Sequence, residues 1–475
     1  MCRTNRWSSS LSRAGFAARR WVRCAVVATT LCLLGATSDV SAQDDLLQRA
    51  APPTLTTTPH NFHLVVTEAF LNRFVARDEA EPGRIDDFIF GAKVDGDQWT
   101  KRSLRLDLIP SYDYAAGVFV LQGQVDSVTI GRTGQGAVQS VGRQDFHAYK
   151  DVFFDGNVFS TRHATVFARS FNQPVAAATQ LDGTILQRVG QKIALSRAEQ
   201  QRPQTEAYGR DRVASRVFPT FDGGVDQQLG LANQQLQTRV RSALEQVKLL
   251  PTSQRVLTTD THLHYASRVA VAAEAPAIPT PARSLAGPHA ITLYLHDGLL
   301  NGLVARLNLE GKETTDRELR AVFDRATKFF GGEPKTDDAP GLPGLNAALE
   351  TEIEFDAVNP LSLHFREGRM VIEIRAVLRP AGQALLPPLL ISTPLQLVNQ
   401  GSEWQLVRGP IDIVSTNGER LPDVAANLIR QAIEGDFPTV RIPRALDIPN
   451  WPADQPKLQL TDLRSADGWL AVSLD

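Results

Sequence analysis

The chain has 475 residues, with 50 Lys and Arg set against 52 Asp and Glu, and only three cysteines. No stretch carries a sustained run of Lys and Arg, which excludes the clustered phosphate contacts of a nucleic-acid-binding surface and speaks against broad attraction to an anionic membrane. Cys2, Cys24 and Cys32 all precede residue 43, so the rest of the chain has no thiol for disulfides, thiolate metal sites or cysteine nucleophiles.

Residues 1–42 read as a cleaved secretory signal. Six arginines form a basic start, Ala25 to Leu34 form an apolar core too short to span a bilayer, and Val40-Ser41-Ala42 offers small residues for cleavage. The expected location is periplasmic or secreted. Arg19-Arg20 leaves twin-arginine export open beside the general route. Neither Cys24 nor Cys32 follows a lipobox, so no lipid anchor is expected. Those 42 residues hold six Arg and one Asp, so the remainder carries 44 basic and 51 acidic residues, a net charge of −7. No segment after the signal reads as a membrane span. The longest apolar run, Ala384 to Val398, is interrupted by Pro387, Pro388 and Pro394.

A Pro/Thr-rich spacer follows over 43–60, then a first α+β module with inserted helices over 61–271. A Pro/Ala linker over 272–288 separates it from a second α+β module over 289–475. The same element opens both modules. Leu64 to Arg77 and Leu293 to Arg306 share six of fourteen residues, including Leu-Asn-x-x-Val-Ala-Arg, and each reads as a short strand turning into a helix. Thr67 and Asp297 are the expected helix caps, since a side-chain oxygen there accepts an orphan backbone N–H. Phe70, Leu71, Phe74 and Val75 repeat at one-turn spacing, as do Leu299, Leu300, Leu303 and Val304. The pattern points to an internal duplication.

Alternation of apolar and polar residues predicts strands over 103–110, 117–128 and 151–171 in the first module. In the second it predicts strands over 351–355, 361–365, 370–378, 394–398 and 404–407, with tight turns at 366–369, 399–402 and 465–468. The spacing of Val225, Leu229, Ala232, Leu236, Val240, Ala243 and Val247 predicts an amphipathic helix of about 24 residues ending at Pro251. A separate polar helix over 191–209 is expected to be interrupted by Pro203. A helix capped by Asp423 carries a stripe that includes Val424, Leu428 and Ala432. The fold expected is α+β, with two related modules, each a long curved antiparallel sheet packed around amphipathic helices.

Catalytic signatures are missing from the sequence. It has no Gly-x-Ser-x-Gly, no His-Glu-x-x-His, no P-loop and no Gly-x-Gly-x-x-Gly after a strand. Residues 131–136 read as a glycine-containing loop and Asp95-Gly96-Asp97 as a turn. The paired carboxylates Asp86-Asp87 and Asp337-Asp338 read as exposed loop charges. The best metal-ligand pattern is Asp260, His262 and His264, which a strand would align about 6.5 Å apart. The bland alternative, the wet face of an ordinary strand, carries more weight, so no metal or other cofactor is expected.

Two resemblances add to this reading. Phe153 to Thr161, Asn233 to Leu236 and the Leu-Asn-x-x-Val-Ala-Arg element resemble an uncharacterised family of exported proteins from planctomycete-type bacteria, which has no assigned activity. Leu300 to Leu303, the helix at 423–434, Phe437 to Pro443, Leu458 to Leu463 and Gly468 to Val472 resemble tubular lipid-binding (BPI-like) domains. That resemblance implies a curved sheet wrapped around a long helix with an apolar groove between them. The inserted helices at 191–250 depart from the pattern. The expectation is a non-enzymatic envelope protein that binds a lipid or other apolar ligand, with Phe70, Phe74, Leu299, Leu303, Val424, Leu428 and Ala432 as groove candidates. The alternative is a structural or adhesion protein. No protein partner is legible.

Overall fold

The computed structural model describes residues 57–246, 248–269, 278–282, 285, 287–315, 352–379, 385–436, 440–448, 451 and 455–475. The signal segment, most of the spacer, part of the linker and Asp337-Asp338 lie outside the described residues. In chain order the elements begin with β1 (Thr57–Thr58), β2 (Phe62–Thr67), α1 (Glu68–Val75), β3 (Arg77–Ile89), β4 (Ala92–Ile109), β5 (Ala115–Thr133), β6 (Gly136–Phe154), β7 (Phe159–Thr161) and β8 (Thr165–Thr179). Helix α2 (Gln187–Gln235) runs through a π-helical turn (Leu236–Arg241) into α3 (Ser242–Gln246), followed by β9 (Pro251–Thr258), β10 (His262–Val269) and β11 (Ile278–Pro279). Then come β12 (Ile291–His296), α4 (Asp297–Ala305), β13 (Glu313–Thr315), β14 (Glu352–Phe355), β15 (Leu361–Arg366), β16 (Arg369–Arg379), β17 (Leu389–Asn399), β18 (Glu403–Arg408) and β19 (Asp412–Ser415). Helix α5 (Asp423–Asp436), β20 (Val440–Pro443), β21 (Leu460–Ala466) and β22 (Trp469–Leu474) close the chain.

The class is α+β, with large antiparallel sheets and a long helix. The described chain divides into two compact units. The first holds Thr67–Val240 and Val256–Leu263; the second holds the residues up to Val66, then Arg241–Arg255 and His264–Asp475. The division therefore falls within strands rather than at the Pro/Ala linker. Part of that linker is packed: Ile278 and Leu285 are buried beside Trp469, whose indole N–H donates to the Pro279 carbonyl at 2.8 Å.

The first unit is built on a six-stranded sheet ordered β3-β4-β5-β6-β7, with β8 also paired to β6. The sequence foresaw only parts of it. Residues 131–136 are not a loop: Gly134 and Gln135 alone turn between two 19-residue strands, and the others pair in the ladder. Asp95-Gly96-Asp97 lies inside β4 rather than in a turn. A methyl group on Gly96 would meet the Val128 carbonyl oxygen at 2.1 Å, so glycine is required by the close approach of β5.

Against one face of this sheet lies α2, 49 residues long, or about 74 Å at 1.5 Å per residue. Two separate helices were expected, yet α2 is continuous through Pro203 and Pro219. An interior proline costs roughly 3 kcal/mol by removing one hydrogen bond and crowding the preceding turn, and sheet contacts along the helix offset that cost. Gly190 lies against Thr179 and Gly209 against Ser170, where added methyl groups would come within 2.8 and 2.6 Å of the hydroxyl oxygens. Between them Glu206 accepts the Asn172 backbone N–H at 3.0 Å, and the Arg202 guanidinium sits 4.5 Å over the Phe171 ring. Further on, Phe221, Val225 and Leu229 enter the core with Leu106, Phe119, Ala148 and Val152. The regular helix stops at Gln235, short of the expected end, where the ladder loosens into the π turn.

The second unit contains most of a six-stranded sheet ordered β21-β22-β12-β2-β10-β9. It reads the same from either edge: hairpin, single strand, single strand, hairpin. The two repeated strands pair antiparallel at its centre, and equivalent repeat positions face each other at Leu64 and Leu293. A second sheet orders β13-β14-β16-β17-β18-β20, with β15 on β16 and β19 on β17. Its core includes Ile353, Phe355, Ala376, Leu389 and Ile391. The turns expected at 366–369 and 465–468 are two-residue hairpins. Glu367, Gly368, Asp467 and Gly468 take φ of 50°, 75°, 49° and 83°, the left-handed pair that such turns require.

Candidate functional site

The helix that opens each repeat is held by the same device. In the first, Thr67 caps α1 by accepting the Phe70 N–H at 3.1 Å. In the second, the cap is not Asp297 but His296, whose Nδ1 accepts the Gly298 N–H at 3.1 Å; Asp297 is the first helical residue. This keeps the repeat in register, since His296 stands where Thr67 does. Glu68 donates its backbone N–H to the Thr261 carbonyl at 2.7 Å, and Asp297 donates to Gly468 at 2.8 Å. The acceptor is in each case the residue just before the neighbouring strand.

The groove candidates fall in both units. Phe70 and Phe74 are buried, their rings 5.1 Å apart edge to face, and Leu299 is buried as well. Leu303 is half-buried. Val424 is 73% exposed, outside any packed stripe. The side chains of Leu428 and Ala432 lie outside the described residues.

The metal pattern also separates. Asp260 is exposed before β10, His262 begins that strand and His264 is buried in it. Burial pushes the His262 imidazole down to about 4. Among the described residues, no three His, Cys, Asp or Glu side chains are grouped to hold a metal ion. Asp86 and Asp87 sit on β3 rather than in a loop, and each is ion-paired, with Lys93 and Arg212 respectively.

A different place in the first unit offers room. An open cavity of about 1240 Å³ is lined by β3, β4, β5, β6 and β8, together with Arg210, Asp211 and Ala214 of α2. Strand register builds its wall. One cross-strand row runs Ala80, Lys101, Gln124, Asp145, Arg169; the next, two residues along, runs Asp78, Ser103, Gln122, His147, Phe167. Residues two apart share a face, so the rows form one polar surface, opposite the face bearing Leu106, Phe119 and Ala148. Tyr149 and Phe167 add an apolar patch to it, their rings 6.4 Å apart edge to face, while Val166 and Ala168, paired with Ala148 and Phe146, belong to the other face.

Most charges in the lining are already matched. Arg102 binds Glu79 at 2.6 Å and approaches Glu81 at 3.7 Å. Arg143 meets Asp145 at 3.4 Å and donates to Gln124 at 2.8 Å, while Arg210 meets Asp211 at 3.2 Å. Lys101 and Arg169 have no ion pair among the described residues and are exposed to the opening. The arrangement can hold an amphiphile, with an anionic group at Lys101 and Arg169 and apolar chain beside Phe167 and Tyr149. Sequence reasoning missed it because its residues come from five strands whose register no local pattern reveals.

Two other polar clusters are structural. Lys150 is only 1% exposed and is held by Asp222 and by Asp226 at 3.0 Å. Burial works to raise the Asp222 carboxyl, but hydrogen bonds from Lys150, the Ala164 N–H and His163 outweigh it and keep it below the usual range. In the second unit, Asp297 lies 3.2 Å from His296 and 3.6 Å from His364, which in turn lies 3.8 Å from Glu373. His296 is engaged as the helix cap.

No protein-family model matches the sequence, and no curated protein matches it. Among solved structures the chain is similar to a crystal structure of lipopolysaccharide binding protein, with a TM-score of 0.30 and 10% identity over 88% of this chain and 99% of that one. So distant a likeness assigns neither a ligand nor a site.

Proposed function

We propose that the protein is an exported, non-enzymatic envelope protein that binds an amphiphilic lipid in the cavity of its first unit. The observation that carries this reading is the cavity of about 1240 Å³, in which the paired-off charges leave Lys101 and Arg169 beside the exposed rings of Tyr149 and Phe167. Ligand sites of drug size occupy about 300–1,000 Å³, so the space suits a larger amphiphile. Each buried methylene contributes about 0.8 kcal/mol, so a chain of about 14 carbons gains roughly 11 kcal/mol gross. Association costs of about 4–15 kcal/mol bring the net into the range of reversible carriage. Export rests on the basic, apolar and small-residue pattern of residues 1–42.

A structural or adhesion role would use a free strand edge. The edge strand β3 carries Asp78, Glu79, Glu81, Pro82, Asp86 and Asp87. Charge and proline on an edge discourage strand addition, so lipid binding is the better supported reading. Protein purified from its native envelope is expected to yield a lipid near one mole per mole of chain by mass spectrometry of the organic extract. An extract without stoichiometric lipid would remove this proposal.

A further inference from the structure

The connection from β8 into α2 presents an unusual surface. Ile185 is fully exposed at 101%, and Leu186, Val189 and Ile193 are each more than half exposed. On a helical wheel Leu186, Val189 and Ile193 fall within about 60° of one another. The inner side of this turn is Gly190, pressed against Thr179 and Leu181 of the sheet end. On the same wheel Gly190 lies only about 40° from Leu186, so the stripe borders the packed side, and its exposure shows that no described element covers it.

The charge beside the stripe is positive. Arg188 and Lys192 lie along one side of it, both exposed and neither in an ion pair among the described residues, against one acid of the segment, Asp182, which accepts from the Gln191 amide at 3.2 Å. The first turn of α2 holds no acid. The acids of the β3–β4 ribbon in the same unit are spoken for: Asp86 by Lys93, Asp87 by Arg212, Asp95 by Arg132 and Asp97 by Arg84. The chain as a whole is acidic outside its signal, so this local excess runs against its composition.

We infer that residues 181–193 dock the protein on a lipid surface rich in anionic headgroups. Apolar side chains enter the headgroup boundary while Arg188 and Lys192 meet the headgroup phosphates, as an interfacial helix does. No helix of the described residues is long and apolar enough to cross a membrane, so the segment lies on the surface rather than spanning it. The inference goes beyond the proposed lipid site and does not rest on it, because none of these residues lines the cavity.

Flotation with vesicles tests it, using the protein as its host processes it. Binding is expected to vesicles of phosphatidylglycerol mixed with phosphatidylcholine, and to be weakened by salt. Each cation near an anionic surface contributes about a fivefold gain. Reversing both in Arg188→Glu with Lys192→Glu is expected to weaken binding at least about tenfold. Ile185→Asp with Leu186→Asp should weaken it comparably, and Val358→Asp, an equally exposed apolar position in the second unit, should leave it unchanged. Four outcomes overturn the inference: no flotation of the wild type; equal flotation with pure phosphatidylcholine; wild-type binding by both double variants; or light scattering that shows the stripe buried in a dimer.

Discussion

Asn72 grips Leu106 from both sides of its peptide, donating to the Leu106 carbonyl at 2.7 Å and accepting the Leu106 N–H at 2.9 Å. Strand β3 ends its pairing with β4 at Leu104, so the side-chain amide continues the ladder where the strand stops. Glu68 takes the next free N–H, that of Leu108, at 2.8 Å. The repeat reproduces the grip in the second unit, where Asn301 donates to the Leu363 carbonyl at 2.8 Å and accepts its N–H at 2.7 Å. The asparagine of Leu-Asn-x-x-Val-Ala-Arg is therefore an edge-capping residue in both copies.

Replacing either asparagine with alanine leaves a half-buried N–H and carbonyl without their partner. Each such group costs about 1–3 kcal/mol, so a loss of about 2–4 kcal/mol is expected from Asn72→Ala or Asn301→Ala in denaturant melts. Asn72→Asp should be no milder, since a carboxylate would face the Leu106 carbonyl. A loss below about 0.5 kcal/mol, the level of an ordinary surface change, would show that the grip is incidental.

The Lys150 cluster makes a second, asymmetric prediction. Asp222→Asn leaves a fully buried ammonium with only Asp226, and breaking a buried pair costs about 3–5 kcal/mol. Lys150→Met removes the charge itself and leaves Asp222 its hydrogen bond from the Ala164 N–H at 2.7 Å. The methionine variant is expected to be the more stable of the two by chemical denaturation. The reverse order would contradict the assignment of Lys150 as the costly group.

Stability should also depend on acid pH. Burial, with His60 adding to it, pushes the His63 imidazole down to about 3, and burial alone takes His262 to about 4. His63 packs edge to face on Trp469 at 5.2 Å and on Tyr294 at 6.4 Å. Both histidines titrate near 6.5 when unfolded, so below that pH the unfolded chain binds more protons than the folded one. Their contribution is intact above about 6.5 and is lost as the pH falls from there toward 4 and then 3. The melting temperature should drop over that window, and less steeply in His63→Phe, which keeps the aromatic packing. An unchanged slope would contradict the assignment.

A pair of glycines in the first sheet separates close approach from mere flexibility. Gly96→Ala drives a methyl into the Val128 carbonyl and should cost about 1–3 kcal/mol or more. Gly131→Ala meets nothing nearer than 3.8 Å and should be neutral within about 0.5 kcal/mol.

What the sequence disclosed follows from how local each signal is. Strand period, turn glycines and the fourteen-residue repeat are short-range patterns, and β14 to β18 of the second unit and the strand-helix elements were legible from them. Strand β3 was not, because its charged residues leave no clean alternation. Pro203 argued for a break that tertiary packing overrides at Gly190, Glu206 and Gly209. The cap at His296 was hidden by the stronger capping reputation of Asp297, although the repeat alignment to Thr67 held the answer. The cavity depends on the register of five strands, which composition and spacing do not encode.

The most direct test of the account is where a lipid touches the protein. A photoactivatable anionic phospholipid added to the purified chain is expected to crosslink peptides containing Lys101, Tyr149, Phe167 and Arg169, and to lose those crosslinks in Lys101→Glu with Arg169→Glu. Crosslinks confined to residues 181–193, or absent altogether, would contradict a lipid site in the cavity of the first unit.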